Sequence, residues 1–143
     1  MRPPSIVNFE RLFLAALALG VISLVVSYEA ATAQLAREPT LRQLGIGGSE
    51  ILLGISAVWL AIYLLLWFLI TRKASNVAKW ILVILSALGA LFFVPALAGP
   101  WNLGLLLNLA YYALELAAVA CLFRADAVAW LKGKPDTDQT ALD

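Results

Sequence analysis

Residues 51–71 read ILLGISAVWLAIYLLLWFLIT, a stretch with no charged residue that ends directly before Arg72 and Lys73. A helix needs about 20 apolar residues to cross a hydrocarbon core about 30 Å thick, and this stretch is long enough. Three more apolar runs occupy residues 12–27, 80–98 and 101–123. The pattern predicts four membrane-spanning helices.

The composition supports a membrane domain throughout. Of the 143 residues, 63% are hydrophobic and 13% are charged, and the mean hydropathy is +0.91. Soluble domains are typically about 45–50% apolar and about 25% charged. We therefore predict an all-α fold, a four-helix transmembrane bundle over residues 1–134, followed by a polar tail at 135–143.

Basic residues mark one end of the predicted bundle. Of the ten Lys and Arg residues, all but Arg37 and Arg42 flank the same ends of the apolar runs: Arg2, Arg11, Arg72, Lys73, Lys79, Arg124, Lys132 and Lys134. Short loops rich in Lys and Arg stay in the cytoplasm. The pattern predicts up-down topology with both termini inside.

The predicted element bounds follow from these runs and their flanks. Spans are expected at about 10–35, 50–72, 77–98 and 101–124, and a short helix at about 125–133 is expected to lie along the inner surface. We also expect Asn8 to cap the first helix and Pro95 to kink or end the third.

A second interpretation exists for the first run. Basic residues, an apolar stretch and then Ala31-Thr32-Ala33 are also typical of a secretory signal with a small-residue cleavage site. The apolar stretch here is longer than the 7–15 residues usual in such signals. This length favours a span that is retained.

The residue inventory excludes several classes of function. A net charge of +1 provides no basic stripe for a nucleic acid. Cys121 is the only cysteine and the chain has no histidine, which excludes internal disulfides, cysteine metal clusters, His-ligated metals and Ser-His or Cys-His nucleophiles within this chain. We therefore expect no metal, no cofactor and no enzymatic activity.

Glu115 is the one acidic residue inside the four apolar runs. It lies about 13 Å from Arg124 and about 21 Å from Trp101 along the helix, near the middle of the membrane, where an ionised carboxylate is costly. Helical spacing places small or polar residues on its face, and we expect this face to turn inward: Gly104, Asn108, Tyr111 and Ala118.

The residue pattern is consistent with two different roles for Glu115. It is either a proton-responsive or cation-attracting site, or a protonated acid that hydrogen-bonds across helices and holds the bundle together. Tyr63 or Ser86, which lie at comparable depth, is the expected partner. The candidate intramembrane polar site thus contains Glu115, Asn108, Tyr111, Tyr63 and Ser86.

Two smaller expectations concern side chains elsewhere in the spans. We expect serines such as Ser23 to bond back to a carbonyl of their own helix. Trp59 is the one Trp far from either predicted interface, and we expect it to fill a gap in the core.

Three stretches at the rim of the predicted bundle form a recognisable set: Arg2-Pro3-Pro4 with Phe9-Glu10, residues 72–80 and residues 122–130. In these stretches the chain resembles a family of small four-span bacterial inner-membrane proteins with no assigned function. The resemblance implies a multi-pass protein of the bacterial cytoplasmic membrane and implies no activity.

The leading functional hypothesis is a non-catalytic accessory or scaffolding subunit that acts through helix–helix or lipid contacts. The alternative is an oligomeric proton-coupled transporter or channel that uses Glu115. The expected partners are the lipid bilayer and a membrane-protein partner or a second copy of the chain, with no nucleic acid.

Overall fold

In a computed structural model, residues 2–43, 45 and 47–133 are described, and all regular structure among them is helical. The elements are α1 (Pro4–Leu35), α2 (Pro39–Gln43), α3 (Gly48–Lys73), α4 (Asn76–Phe93), a 3₁₀ helix (Val94–Ala98), α5 (Leu103–Cys121) and α6 (Ala125–Leu131). The all-α prediction is confirmed. The expected polar tail at 135–143, with Lys134, lies outside the described residues.

Four helices are long and apolar enough to cross a membrane: α1, α3, α4 with its 3₁₀ extension, and α5. Much of their apolar surface is left uncovered by the protein, including Leu65, Phe92 and Leu116. Contact between such an apolar surface and water is energetically unfavourable, whereas contact with lipid hydrocarbon is not. The chain is therefore a multi-pass membrane protein.

The first helix begins earlier than predicted. Asn8 lies within α1, and Pro3 is the residue that precedes its first turn, so the prediction that Asn8 caps this helix is wrong. Pro4 occupies the first helical position, where its fixed φ suits the helix and its missing N–H is not needed. Proline, rather than the amide side chain, defines this helix start.

The turn between α3 and α4 is tight because Ala74 adopts a left-handed conformation with a φ of 48°. Ser75 then caps α4, and its Oγ accepts a hydrogen bond of 3.2 Å from the amide of Ala78. At the far end, α4 changes to a 3₁₀ helix around Pro95, whose ring is incompatible with a continuing α-helix. The early end expected at Pro95 is confirmed.

The spans form a ring in the order α3, α1, α5, α4. α1 packs most extensively against α5 and less so against α3, and α4 contacts both α3 and α5. α6 packs against α1, and the amide of Ser5 donates a 3.1 Å hydrogen bond to Oδ2 of Asp126. The start of α1 and the start of α6 therefore lie at the same end of the bundle.

We call this end the basic end, because Arg72, Lys73, Lys79, Arg124 and Lys132 lie there, and the opposite end the loop end. The packed core is concentrated in the basic-end half. Its buried apolar members include Phe9, Phe13, Leu66, Ile70, Leu82, Ala118 and Leu122. The helices are less tightly packed toward the loop end.

Candidate functional site: a cavity above a buried glutamate

A cavity of about 760 Å³ lies between the four spans in the loop-end half of the bundle. It is partly open to the surroundings, and every span contributes to its wall. The lining residues are Leu17, Gly20, Val21, Ser23, Leu24 and Ser27 of α1, Leu53, Ser56, Ala57, Trp59, Leu60 and Tyr63 of α3, Leu85, Leu88, Gly89 and Phe92 of α4, and Asn108, Tyr111 and Tyr112 of α5.

The cavity wall is mainly apolar and carries neutral polar groups. Its hydrogen-bonding side chains are three serines, three tyrosines, Asn108 and the indole N–H of Trp59, and none of its lining residues is Lys, Arg, Asp or Glu. Ligand pockets in proteins typically enclose about 300–1,000 Å³ and combine apolar walls with a few polar groups. The cavity has the volume and chemistry of a site for a small amphiphile.

Glu115 lies just beyond the cavity, toward the basic end. Its side chain and that of Ser86 are fully buried, and the Ser86 hydroxyl donates a 2.8 Å hydrogen bond to Oε1 of Glu115. Among the described residues, no Lys or Arg forms an ion pair with this carboxyl. Ser86 is therefore the cross-helix partner, and its hydrogen bond joins α4 to α5.

The second oxygen of the Glu115 carboxyl is not satisfied. Oε2 is buried and has no hydrogen-bond partner. The hydroxyls of Tyr63 and Tyr111 interact with this carboxyl, but neither completes a well-aligned hydrogen bond to Oε2. Because both tyrosines also line the cavity, they separate the carboxyl from the cavity.

Two glycines make room for the tyrosine rings at the cavity floor. A Cβ added at Gly20 would lie 3.4 Å from the Tyr111 ring, and one added at Gly89 would lie 3.4 Å from the Tyr112 ring. The two rings contact each other edge to face, with centroids 4.9 Å apart. Glycine at these positions lets α1 and α4 approach the aromatic side chains of α5 closely.

Asn108 belongs to a second polar layer, nearer the loop end. Its Nδ2 donates hydrogen bonds of 2.9 Å to Oγ of Ser23 and to the carbonyl of Gly104. Asn108 and Glu115 are two helical turns apart, about 10 Å along the axis. The five predicted site residues thus form two layers: Glu115, Ser86, Tyr63 and Tyr111 are together, and Asn108 is separate.

Two expectations about single side chains are wrong. Among the described residues, the Ser23 hydroxyl donates to no carbonyl of its own helix, and its Oγ instead accepts a hydrogen bond from Asn108 of α5. The facing helix brings the amide donor to the side chain. Trp59 does not fill a core gap: 45% of its surface is exposed, and it lines the cavity with its ring 6.2 Å from that of Tyr63. The spans separate at this depth, so no closed core exists there.

Sequence reasoning also missed Tyr112, which lines the cavity and contacts Phe93 with ring centroids 4.8 Å apart. Tyr112 follows Tyr111 directly and so points about 100° away from it around the helix. This rotation removed it from the predicted polar face. A small residue at similar depth on a facing helix, here Gly89, is the sequence signal that could have identified it.

The described residues contain no group of three or more His, Cys, Asp or Glu side chains that could hold a metal ion. Cys121 is a free, partly buried thiol at the end of α5. The arrangement can hold an apolar or amphiphilic molecule and offer it neutral hydrogen-bonding groups. It also keeps one carboxyl within reach of that molecule through the tyrosine layer.

In comparisons with protein-family models, curated proteins and solved structures, nothing matches this chain.

Proposed function

We propose that this chain is a non-catalytic membrane protein that holds a neutral, lipid-like amphiphile between its four spans. In this role it is an accessory or scaffolding component that acts through lipid contacts. The observation that carries the proposal is the cavity of about 760 Å³ with its mainly apolar wall. A packed structural bundle would not need this space.

The wall chemistry supports a neutral ligand. Leu17, Leu24 and Leu88 provide apolar contact area, whereas Asn108 and Ser56 offer hydrogen bonds. A charged headgroup would have to leave water for a wall that has no opposite charge, which costs several kcal/mol. A hydroxyl or carbonyl headgroup on an apolar chain meets both kinds of surface.

The polar groups of the site support a role without catalysis. The buried carboxyl of Glu115 already accepts from the Ser86 hydroxyl, and the chain has no histidine to activate a nucleophile. Binding and positioning are what these groups can do.

Photo-crosslinking with a diazirine-bearing monoacylglycerol tests the binding proposal. We expect labelled peptides from the cavity wall, and severalfold less labelling in Leu88→Trp, whose ring would fill part of the cavity. Leu91→Trp is the matched control because Leu91 lies on the same helix, is 65% exposed and does not line the cavity. Equal labelling of the two variants would remove the proposal.

We place the protein in the bacterial inner membrane with the basic end and both termini in the cytoplasm. The support is the clustering of Lys and Arg at one end of the bundle, which retains loops on the cytoplasmic side. Reporter tags fused at Met1 and Asp143 test this orientation. Both should report the cytoplasm, and tags in opposite compartments would contradict it.

A second candidate function is proton-coupled transport by an oligomer, and the position of Glu115 favours it. Its carboxyl is buried, has one unsatisfied oxygen and faces the tyrosines of the cavity floor. A group that can gain or lose a proton next to a ligand cavity is the arrangement such coupling requires.

Flux in proteoliposomes tests the transport candidate. Glu115→Gln should abolish a pH-dependent flux of the monoacylglycerol or of protons, because glutamine can still bond Ser86 but cannot titrate. Glu38→Gln, at an exposed site near the loop end, should leave the flux unchanged. An unaltered flux in Glu115→Gln would exclude this candidate and leave the binding proposal intact.

A further inference from the structure

Lys79 is a buried cation without a counter-charge. Its side chain is 4% exposed and lies in the first turns of α4. Among the described residues its ammonium nitrogen has no hydrogen-bond partner and is not one of the fully covered unpartnered atoms, so part of the nitrogen's surface is exposed. Among the described residues it forms no ion pair with Asp or Glu. Its contacts are aromatic instead: Nζ lies 4.0 Å from the ring centroid of Phe123 and 5.7 Å from that of Trp80.

Two further features make this position unfavourable for a lone cation. Lys132, which follows α6, is the charged group that interacts with Lys79 electrostatically, and the two repel each other. The first turn of a helix also carries a partial positive charge, which disfavours a nearby cation. A bound anion between the two lysines would relieve both effects.

The surface around the lysines is apolar and faces outward. Trp80 is 51% exposed and Phe123 is 47% exposed, and their rings meet edge to face with centroids 5.9 Å apart. Aromatic side chains of this kind lie at the level of lipid headgroups. The ligand that fits therefore carries a negative charge and an apolar chain together.

We propose that Lys79 and Lys132 bind the phosphate of one anionic phospholipid, whose chain lies against Trp80 and Phe123. This site is at the basic end and is separate from the cavity in the loop-end half. It goes beyond the proposed function and does not depend on it.

Native mass spectrometry of the protein in a neutral detergent tests this site. The probes are dioleoyl phosphatidylglycerol, dioleoyl phosphatidylcholine and glycerol phosphate, which separate an anionic lipid from a zwitterionic one and from a free phosphate. We expect one retained phosphatidylglycerol, with weaker retention as salt is raised because charge attraction is screened. Equal retention of phosphatidylcholine, or equal binding of glycerol phosphate, would overturn the proposal.

Variants identify the residues involved. Lys132→Gln, at an exposed position, should reduce phosphatidylglycerol retention severalfold, and Lys79→Gln should do the same. Lys73→Gln is the matched control: it removes an exposed lysine from the same end of the bundle and should leave retention unchanged. If Lys79→Gln does not fold, the Lys132→Gln variant tests the site by itself. Wild-type retention of phosphatidylglycerol in Lys132→Gln would then refute the site.

Leu88→Trp separates this proposal from the cavity proposal. It fills the cavity at the other half of the bundle and should leave phosphatidylglycerol retention at the wild-type level. A loss of retention in Leu88→Trp would show that the two lipids share one site and would overturn the separate site.

Discussion

Glu115 carries the one buried carboxyl among the described residues. A carboxyl near mid-membrane must be hydrogen-bonded or solvated, and the Ser86 hydroxyl supplies one such bond at 2.8 Å. The remaining oxygen, Oε2, stays without a partner under Tyr63 and Tyr111. One side chain therefore provides both a hydrogen bond between α4 and α5 and a carboxyl oxygen that has no partner.

Removing the Ser86 hydroxyl should destabilise the bundle. Ser86→Ala removes the 2.8 Å hydrogen bond that Oε1 of Glu115 accepts in a buried site, and we expect a loss of about 1–3 kcal/mol in the free energy of unfolding. Unfolding in detergent measures it, with Ser56→Ala as the control that removes a hydroxyl from the cavity wall.

A double-mutant cycle isolates the pair. In a Glu115→Leu background, Ser86→Ala should cost much less, since the carboxyl that needs the hydroxyl is gone. Equal costs in the two backgrounds would show that the bond contributes nothing specific.

At the scale of elements, the start of α3 packs closely against the end of α1. A Cβ added at Gly48 would lie 2.8 Å from the carbonyl oxygen of Thr32 and 3.2 Å from the Cβ of Leu35. Backbone atoms cannot move aside as a flexible side chain can. The absence of a side chain at Gly48 therefore sets how closely these helices approach.

Two glycine substitutions in α3 should have opposite effects. Gly48→Ala forces α3 away from α1 and should lower the unfolding midpoint. Gly54→Ala meets nothing within 4 Å and should stabilise the helix by roughly 0.5–1 kcal/mol, because alanine loses less backbone entropy. Thermal unfolding of both variants in one detergent checks the prediction, and a stabilised Gly48→Ala would contradict it.

α6 holds the start of α1 through Asp126. Pro3 offers no side-chain cap, and the amide of Ser5 instead donates to Oδ2 of Asp126. Burial by itself would raise the pKa of Asp126, but hydrogen bonds from Ser5, and from the amides of Ala127 and Asp126 itself, lower the pKa below the ordinary value of 3.8. The ionised carboxylate is thus the form that clamps the two helices.

This lowered pKa predicts an acid-dependent loss of the clamp. A carboxyl with a depressed folded-state pKa contributes stability that is complete above 3.8 and is lost as the pH falls through the folded-state value. Unfolding midpoints should therefore drop in that acidic range, and Asp126→Asn should show a smaller drop. Glu38→Gln, at the loop end, is the control that should follow the wild type.

At the scale of the whole molecule, the two halves of the bundle differ in packing. The basic-end half contains the buried core with Phe9, Phe13 and Ile70, whereas the loop-end half encloses the cavity. The basic-end half therefore holds the spans together, and the loop-end half leaves open space between them.

Matched phenylalanine truncations test this division. Phe13→Ala removes a ring that is 1% exposed and stacks on Phe9 and Tyr63, and it should cost about 3 kcal/mol. Phe92→Ala removes a ring that is 79% exposed at the cavity, and it should cost far less. Comparable losses in the two variants would show that the halves are equally packed.

Much of the candidate site could be predicted from residue type and spacing. Glu115, Tyr111 and Asn108 recur at helical intervals, so a shared face follows from the geometry of one helix, and depth along the spans pointed to Ser86. The bond between Asn108 and Ser23 and the exposure of Trp59 could not be predicted, because both depend on which faces of separate helices meet.

The sequence by itself determined that the chain has four helices long and apolar enough to span a membrane, because transfer of apolar side chains into hydrocarbon adds up over contiguous residues. It also placed Glu115 inside the fourth of these helices. Only the tertiary structure decided that the spans pack at the basic end and separate around a cavity at the loop end. That division comes from side-chain contacts between distant segments, such as Tyr111 against Gly20, which no single stretch of sequence contains.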